Sequence, residues 1–339
     1  MTAKSFTRWT SCLGLSALAA SVHASDRIEA TLLDFGLNQP DNFHFEMNRQ
    51  MNWRPLLNTN FYGQYAPGGV IEENAWVRNL TVFAEFQAVW FDSEIVPDLE
   101  ADIYNPWFGV SVQTCWNLDV GLLYSRSSFD FDSFDKDVTG DGHADRYGVY
   151  VHKQFDFGLR AGLTYSYRKA EIDAQDRVFN TVGKLDQTGH AFTLGVGYAR
   201  KFGEDTIGKN LAFDTSANIL YSNDDYDALN GPRIALLTRG FEYETLWFSW
   251  RNIVSHNLDR HISLFASFTL HQRLDADERE SLPSFFGAFP AEDETIGELG
   301  GGVVTILGRG LAAHAFARTD VFNEVHNLVT AGIGLSYKF

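Results

Sequence analysis

The chain has 339 residues, with 27 lysines and arginines against 44 aspartates and glutamates and a formal charge of −17, which excludes a nucleic-acid backbone as a natural partner. Aromatics reach 14%, with 29 glycines and 28 phenylalanines but only 8 prolines, so the composition is not that of a disordered polymer. Beyond the first residues no apolar run approaches the length of a membrane-crossing helix, and the mixture suits aromatic-rich strands.

In chain order, Lys4 and Arg8 precede the short apolar run CLGLSALAA, and SVHA ahead of Ser25 offers small residues at the spacing of a signal-peptidase site. Residues 1–24 therefore read as a secretory signal. Cys12 falls inside it, so the exported chain keeps one cysteine, Cys115, and no intramolecular disulfide is available. Residues 25–76 show weak alternation, aromatic residues and polar spacing. A plug inside a lumen, a short periplasmic domain and two further strands all fit them.

From residue 77 onward apolar residues recur with period two. Candidate strands fall at 77–92, 105–116, 118–128, 146–154, 156–171, 188–202, 209–222, 240–255, 260–274, 294–307, 310–319 and 327–339. In the fifth, Phe157, Leu159, Leu163 and Tyr165 share one side and Arg160, Thr164, Ser166 and Arg168 the other. In the seventh, Phe213, Ala217, Ile219 and Tyr221 oppose Asp214, Ser216 and Asn218. One face suits lipid and the other water. The eighth, with FEYETLWFSW, changes parity near Leu246, which suggests a bulge there and leaves the facing of Glu242 and Glu244 open.

The links between strands decide what kind of sheet this is. Short turns such as NL, FD, NLDR and GRG alternate with long polar segments such as SFDKDVTGDGHAD and DADERESLPSFFGAFPAED. Turns at one end and loops at the other predict an all-β, antiparallel up-and-down transmembrane β-barrel of about 12 strands, or 14 if residues 25–76 add two. Such a bore should be roughly a helix wide. Its lumen-facing set is expected to include Glu85, Arg160, Arg168, Asp214 and His314, with Gly195, Gly197, Gly332 and Gly334 leaving room beside the wall.

Two segments carry candidate sites. In DKDVTGDGHAD, Asp137, Thr139, Asp141, the His143 carbonyl and Asp145 stand where a calcium loop places its oxygens, although position twelve is Val149 and lacks the acid. A solvated acidic hairpin explains the same residues. A weak calcium site is thus the sole cofactor suggested, and no other is expected. In AGIGLSYKF, Ile333, Leu335, Tyr337 and Phe339 share a face, and this terminal pattern resembles the signal read by the bacterial barrel-assembly machinery.

The order of segments from WVRNLTVFAEF through NLDVGLLYSRSSFDFD, DRYGVYVHKQFDFGLRAGLTYSY and HAFTLGVGYARKF to AGIGLSYKF resembles the translocator (β) domain of autotransporters. The resemblance implies a twelve-stranded barrel, residues 77–339, whose pore passes or once passed a polypeptide outward. The chain departs from that family in having only residues 25–76 where a long passenger would stand, and no Asn-Asn pair at the junction. No residues are arranged for catalysis: SHN at Ser255–Asn257 lies at a turn on the periplasmic side, and His190, His261 and His271 are scattered. The expected protein is a non-enzymatic, surface-exposed outer-membrane barrel, exported by its signal and in contact with outer-membrane lipid, lipopolysaccharide and the barrel-assembly machinery. A passive, cation-preferring porin-like channel and a structural or adhesive barrel with acidic loops are the alternatives.

Overall fold

Alternation becomes twelve antiparallel strands in a computed structural model: β1 (Val77–Ser93), β2 (Leu99–Thr114), β3 (Leu118–Ser133), β4 (Val138–Gln154), β5 (Leu159–Asp176), β6 (Thr181–Lys201), β7 (Leu211–Tyr226), β8 (Phe241–Asn257), β9 (Ile262–Arg279), β10 (Thr295–Ile306), β11 (Leu311–Val321) and β12 (His326–Lys338). The structure describes residues 27, 28, 30–32, 35 and 49, and 77–339 except 94–95, 156, 179, 202–209, 228–239, 260, 280–294, 309 and 323–325. Residues 1–24, read as a signal, lie outside the described residues, as does most of 25–76.

Each strand bonds to its neighbours in sequence, and β1 also pairs with β12 from Thr81↔Lys338 to Ser93↔His326, closing the cylinder. Both sides of β1 are occupied, so no edge is left for two further strands, and the fourteen-strand alternative is corrected to twelve. Closure also satisfies the backbone just past β12: the Phe339 N–H donates to the Leu80 carbonyl of β1 at 2.9 Å.

We call the end where β1 begins and β12 stops the turn end, and the opposite end the loop end. At the loop end several strands run further than the sequence reading allows: β3 reaches Ser133, β4 starts at Val138 and β6 starts at Thr181. Their polarity reverses there. Across the middle of the barrel the exposed face is aliphatic, as with Leu122, Leu163, Leu194 and Val196, and the inward face holds Ser125, Ser166 and Thr193. Nearer the loop end Phe129, Phe131, Ile172 and Leu185 are buried inside, while Asp130, Asp141 and Asp173 are exposed. The upper wall is a water-facing sheet with an apolar interior, continuous with a lower wall that has a lipid-facing surface.

A ladder of rings marks the changeover: Tyr124, Tyr147 and Tyr167 stand in register on the outer face with centroids 5.3 and 6.4 Å apart, and His190 follows at 5.0 Å from Tyr167. At the turn end Trp116 and Phe157 are exposed, and Tyr337 meets Phe339 edge-on at 4.6 Å. Two aromatic rows thus bound the aliphatic zone, the pattern of a barrel crossing a bilayer. The irregularity expected in β8 lies in its partner: Leu246 faces Asp275 and Trp247 faces Arg273, so Leu274 of β9 is the extra residue. Tyr243, Thr245, Trp247 and Ser249 stay buried in unbroken alternation, which leaves Glu242 and Glu244 facing out.

Candidate functional site in the lumen

The lumen is organised in layers, and the first is set by the N-terminal segment. Arg27, Ile28, Ala30, Thr31, Leu32 and Phe35 are helical, and Ile28, Leu32 and Phe35 fall at a spacing that shares one helix face. All three are buried among inward side chains of the upper wall, including Phe91, Phe129, Phe131 and Ile172. The Phe35 ring lies 6.0, 5.1 and 4.9 Å from the rings of Phe91, Phe129 and Phe131. Above this apolar layer Arg27 donates to Asp137 at 2.9 Å, and the Thr31 and Ser133 hydroxyls are 2.9 Å apart.

Below it the wall becomes charged. Arg146 and Arg168 stand opposite each other on β4 and β5, both buried, so each needs an acceptor. Arg146 donates to Asn105 at 3.2 Å and lies 5.9 Å from the Trp107 ring, while Arg168 donates to Gln187 at 3.0 Å and to Asp224 at 3.4 Å. Arg273 donates to the Tyr243 hydroxyl at 3.2 Å and lies 5.0 Å from the Trp247 ring.

In the next layer Glu298 receives Arg49 at 2.5 Å and Arg318 at 3.5 Å, tying the N-terminal segment to β10 and β11. The cavity among Arg49, Glu85, Arg251, Glu298 and Arg318 has a volume of about 40 Å³, room for a few waters and not for a solute. Beside it Glu85 and His314 meet at 2.7 Å, with Gln87 donating to Glu85 at 2.6 Å. Toward the turn end Arg160 grips Asp214 through two hydrogen bonds of 2.6 Å each.

The five residues read as lumen-facing therefore all have inward side chains, and they form two direct pairs, Glu85 with His314 and Arg160 with Asp214. Arg168 joins a separate group with Gln187 and Asp224. The reading left out Arg146, Asn105, Glu298 and Arg318, although the alternation of Tyr147, Val149 and Val151 already puts Arg146 on the opposite face. It also missed the helix, although Ile28, Leu32 and Phe35 give its period.

The calcium-loop geometry is corrected. Only Asp137 lies in a turn; Thr139, Asp141, His143 and Asp145 belong to β4, where an extended chain rising ~3.3 Å per residue spreads them over about 20 Å. Asp141 sits opposite Asp130 and Asp173, Asp145 accepts from Tyr124 at 2.8 Å, and Asp137 is taken by Arg27. Among the described residues no group of three or more His, Cys, Asp or Glu side chains could hold a metal ion. Ser249 and His271 meet at 2.7 Å, but both are buried and brace β8 against β9.

Ile333, Leu335, Tyr337 and Phe339 all lie exposed on the outer face of the last strand, opposite the glycines of its lumen face. The excess of acid is also outside. Asp92, Glu100, Asp102, Asp130, Asp141 and Asp173 stand exposed on the upper wall, whereas the wall of the lumen mixes arginines with a comparable set of carboxylates.

No protein-family model matches the sequence, and no curated protein does. Among solved structures, the translocator domain of the autotransporter NalP from Neisseria meningitidis superposes with a TM-score of 0.68 at 12% identity, covering 91% of this chain and 99% of that one. The β domain of the Bordetella autotransporter BrkA gives 0.61 at 12% identity, covering 77% and 99%. An outer membrane channel from Pseudomonas putida F1 gives 0.52 at 9% identity, covering 79% and 100%. The chain has the fold of autotransporter translocator domains.

Proposed function

We propose that this chain is a surface-exposed outer-membrane barrel of the translocator type, whose pore is filled by part of its own N-terminal segment and which works as a pore or translocator and not as an enzyme. The observation that carries the reading is the burial of Ile28, Leu32 and Phe35 against inward side chains of the wall. A water-filled bore gains nothing from an apolar lining, whereas a lining that receives a helix face removes both surfaces from water. The Arg49–Glu298 contact at 2.5 Å supports the same placement deeper in the lumen.

In this reading residues 1–24 direct export, the turn end faces the periplasm, and the aliphatic zone between the aromatic rows meets lipid and lipopolysaccharide. Ile333, Leu335, Tyr337 and Phe339 are the residues offered to the barrel-assembly machinery. The passive-channel alternative draws support from the likeness to the Pseudomonas channel. Its cation preference does not follow from the overall charge, because the exposed carboxylates of the upper wall lie outside the bore.

Planar-bilayer recording of the full chain and of a chain lacking residues 25–76 tests the reading. The shortened barrel should conduct more. Equal conductance would place the segment outside the conduction path and overturn the proposal.

A further inference from the structure

The helical residues at the loop end are held by a particular contact. Arg27 donates to Asp137 at 2.9 Å, lies 3.7 Å from the fully buried Asp176 and sits 4.6 Å from the Phe134 ring. Asp137 belongs to the β3–β4 turn and Asp176 ends β5, so one guanidinium from the N-terminal segment ties together two hairpins of the upper wall. The Thr31–Ser133 contact adds a second tie one helical turn on. The turn itself is strained: Phe134, Asp135 and Lys136 all have left-handed backbone, with φ of 52, 55 and 69°. Its geometry is fixed by the Phe134 N–H donating to the Pro97 carbonyl at 2.8 Å, and the Arg177 N–H donating to the Asp137 carbonyl at 2.8 Å.

We infer that Arg27, Asp137, Asp176 and Phe134 form a latch at the outer mouth, which keeps the pore closed by holding the lumenal helix in its apolar seat. The inference rests on the reading of the pore as filled by its own N-terminal segment, and it adds where the control lies. The apolar face of Ile28, Leu32 and Phe35 has no direction along the bore and resists sliding only by burial. A charge-assisted pair at a fixed turn supplies the direction. Without Arg27, the buried Asp176 loses a guanidinium 3.7 Å away, and of the two contacts described between the helix and these hairpins only the uncharged Thr31–Ser133 pair is left. Closed and open states then differ less in free energy, and the open one becomes populated.

Single-channel recording of purified full-length protein tests the latch, with Arg27→Ala as the first variant. The open fraction should rise about tenfold or more, as a lost charge-assisted bond implies. Removal of residues 25–76 separates the latch from the filled pore on which it depends. If that barrel conducts no better than the full chain, the filled-pore reading fails and takes the latch with it. If it conducts better while Arg27→Ala behaves as the parent, the latch alone is overturned.

A reversible lock guards against misfolding of either variant. Thr31→Cys with Ser133→Cys, in an Arg27→Ala background with Cys115→Ser, should be silent when oxidised and open after reduction. Opening that ignores the reductant would overturn the latch.

Discussion

Gly334 shows how much one missing side chain organises. It sits in register between Glu85 on β1 and His314 on β11, and those two meet over it at 2.7 Å. A Cβ at Gly334 would collide with the His314 ring, so Gly334→Ala must push the imidazole off Glu85. Two residues earlier on β12, Gly332 makes the same room between Gln87 and Phe316. Gly334→Ala should therefore lower stability by about 1–3 kcal/mol, the range for a buried polar group left without its partner. The measurement is urea unfolding of the refolded barrel in lipid vesicles. In a His314→Ala background the same change should cost much less, because the obstacle is gone. Equal costs in both backgrounds would mean that the glycine serves the strand backbone and not the pair.

Strands carry the next layer of meaning, through the reversal of their polarity. Leu194 on β6 lies 61% exposed in the aliphatic zone, and Leu194→Arg should cost about 2–4 kcal/mol near the bilayer midplane. Asp130→Ser, exposed on the upper wall, should stay within about 0.5 kcal/mol, while Phe131→Ala beside it should cost about 3–5 kcal/mol. Vesicle unfolding of the three variants checks the order, and a costly Asp130→Ser would move the bilayer edge above the tyrosine ladder. This reversal is also where the sequence was hardest to read. Period two located every strand in the aliphatic zone, because lipid demands an apolar side chain at each outward position. In FDFDS and VTGDGHAD the outward positions include Asp130, Asp132, Asp141 and Asp145 and the inward ones include Phe129, Phe131, Gly140 and Gly142, so a segment that pairs as strand looks like a polar loop. The inner charges followed from parity alone, as with Arg160 and Asp214; which of them meet depends on register across several strands, which no local pattern specifies. The last strand adds a prediction of its own. With Phe339 exposed beside Tyr337 at the turn end, Phe339→Ala should reduce the heat-modifiable protein in the outer membrane and leave unfolded chain in the periplasm. Unchanged amounts in both fractions would show that the ring belongs to the aromatic row alone.

The distribution of charge over the molecule separates what the chain looks like in total from what a passing ion would meet. A net charge of −17 suggests a cation path, yet the bore is lined by Arg146, Arg160, Arg168, Arg251, Arg273 and Arg318 against Glu85, Asp119, Asp176, Asp214, Asp224 and Glu298. Fields from exposed carboxylates on the upper wall are screened within about 8 Å at physiological salt, whereas charges inside a low-dielectric wall act on every ion in the bore. Balanced lining charges imply weak selectivity for the barrel freed of residues 25–76. Its reversal potential in a potassium chloride gradient should therefore lie near zero, well short of the cation limit. The pair nearest the turn end gives the handle for checking this. Arg160 and Asp214 share two hydrogen bonds of 2.6 Å, so removing either one changes the net charge facing the bore by one unit. Arg160→Ala should shift the reversal potential toward cations and Asp214→Ala toward anions, by similar amounts. Strong cation selectivity in the parent barrel, or shifts of one sign in both variants, would mean that the outer acidic wall and not the lining governs the ion path.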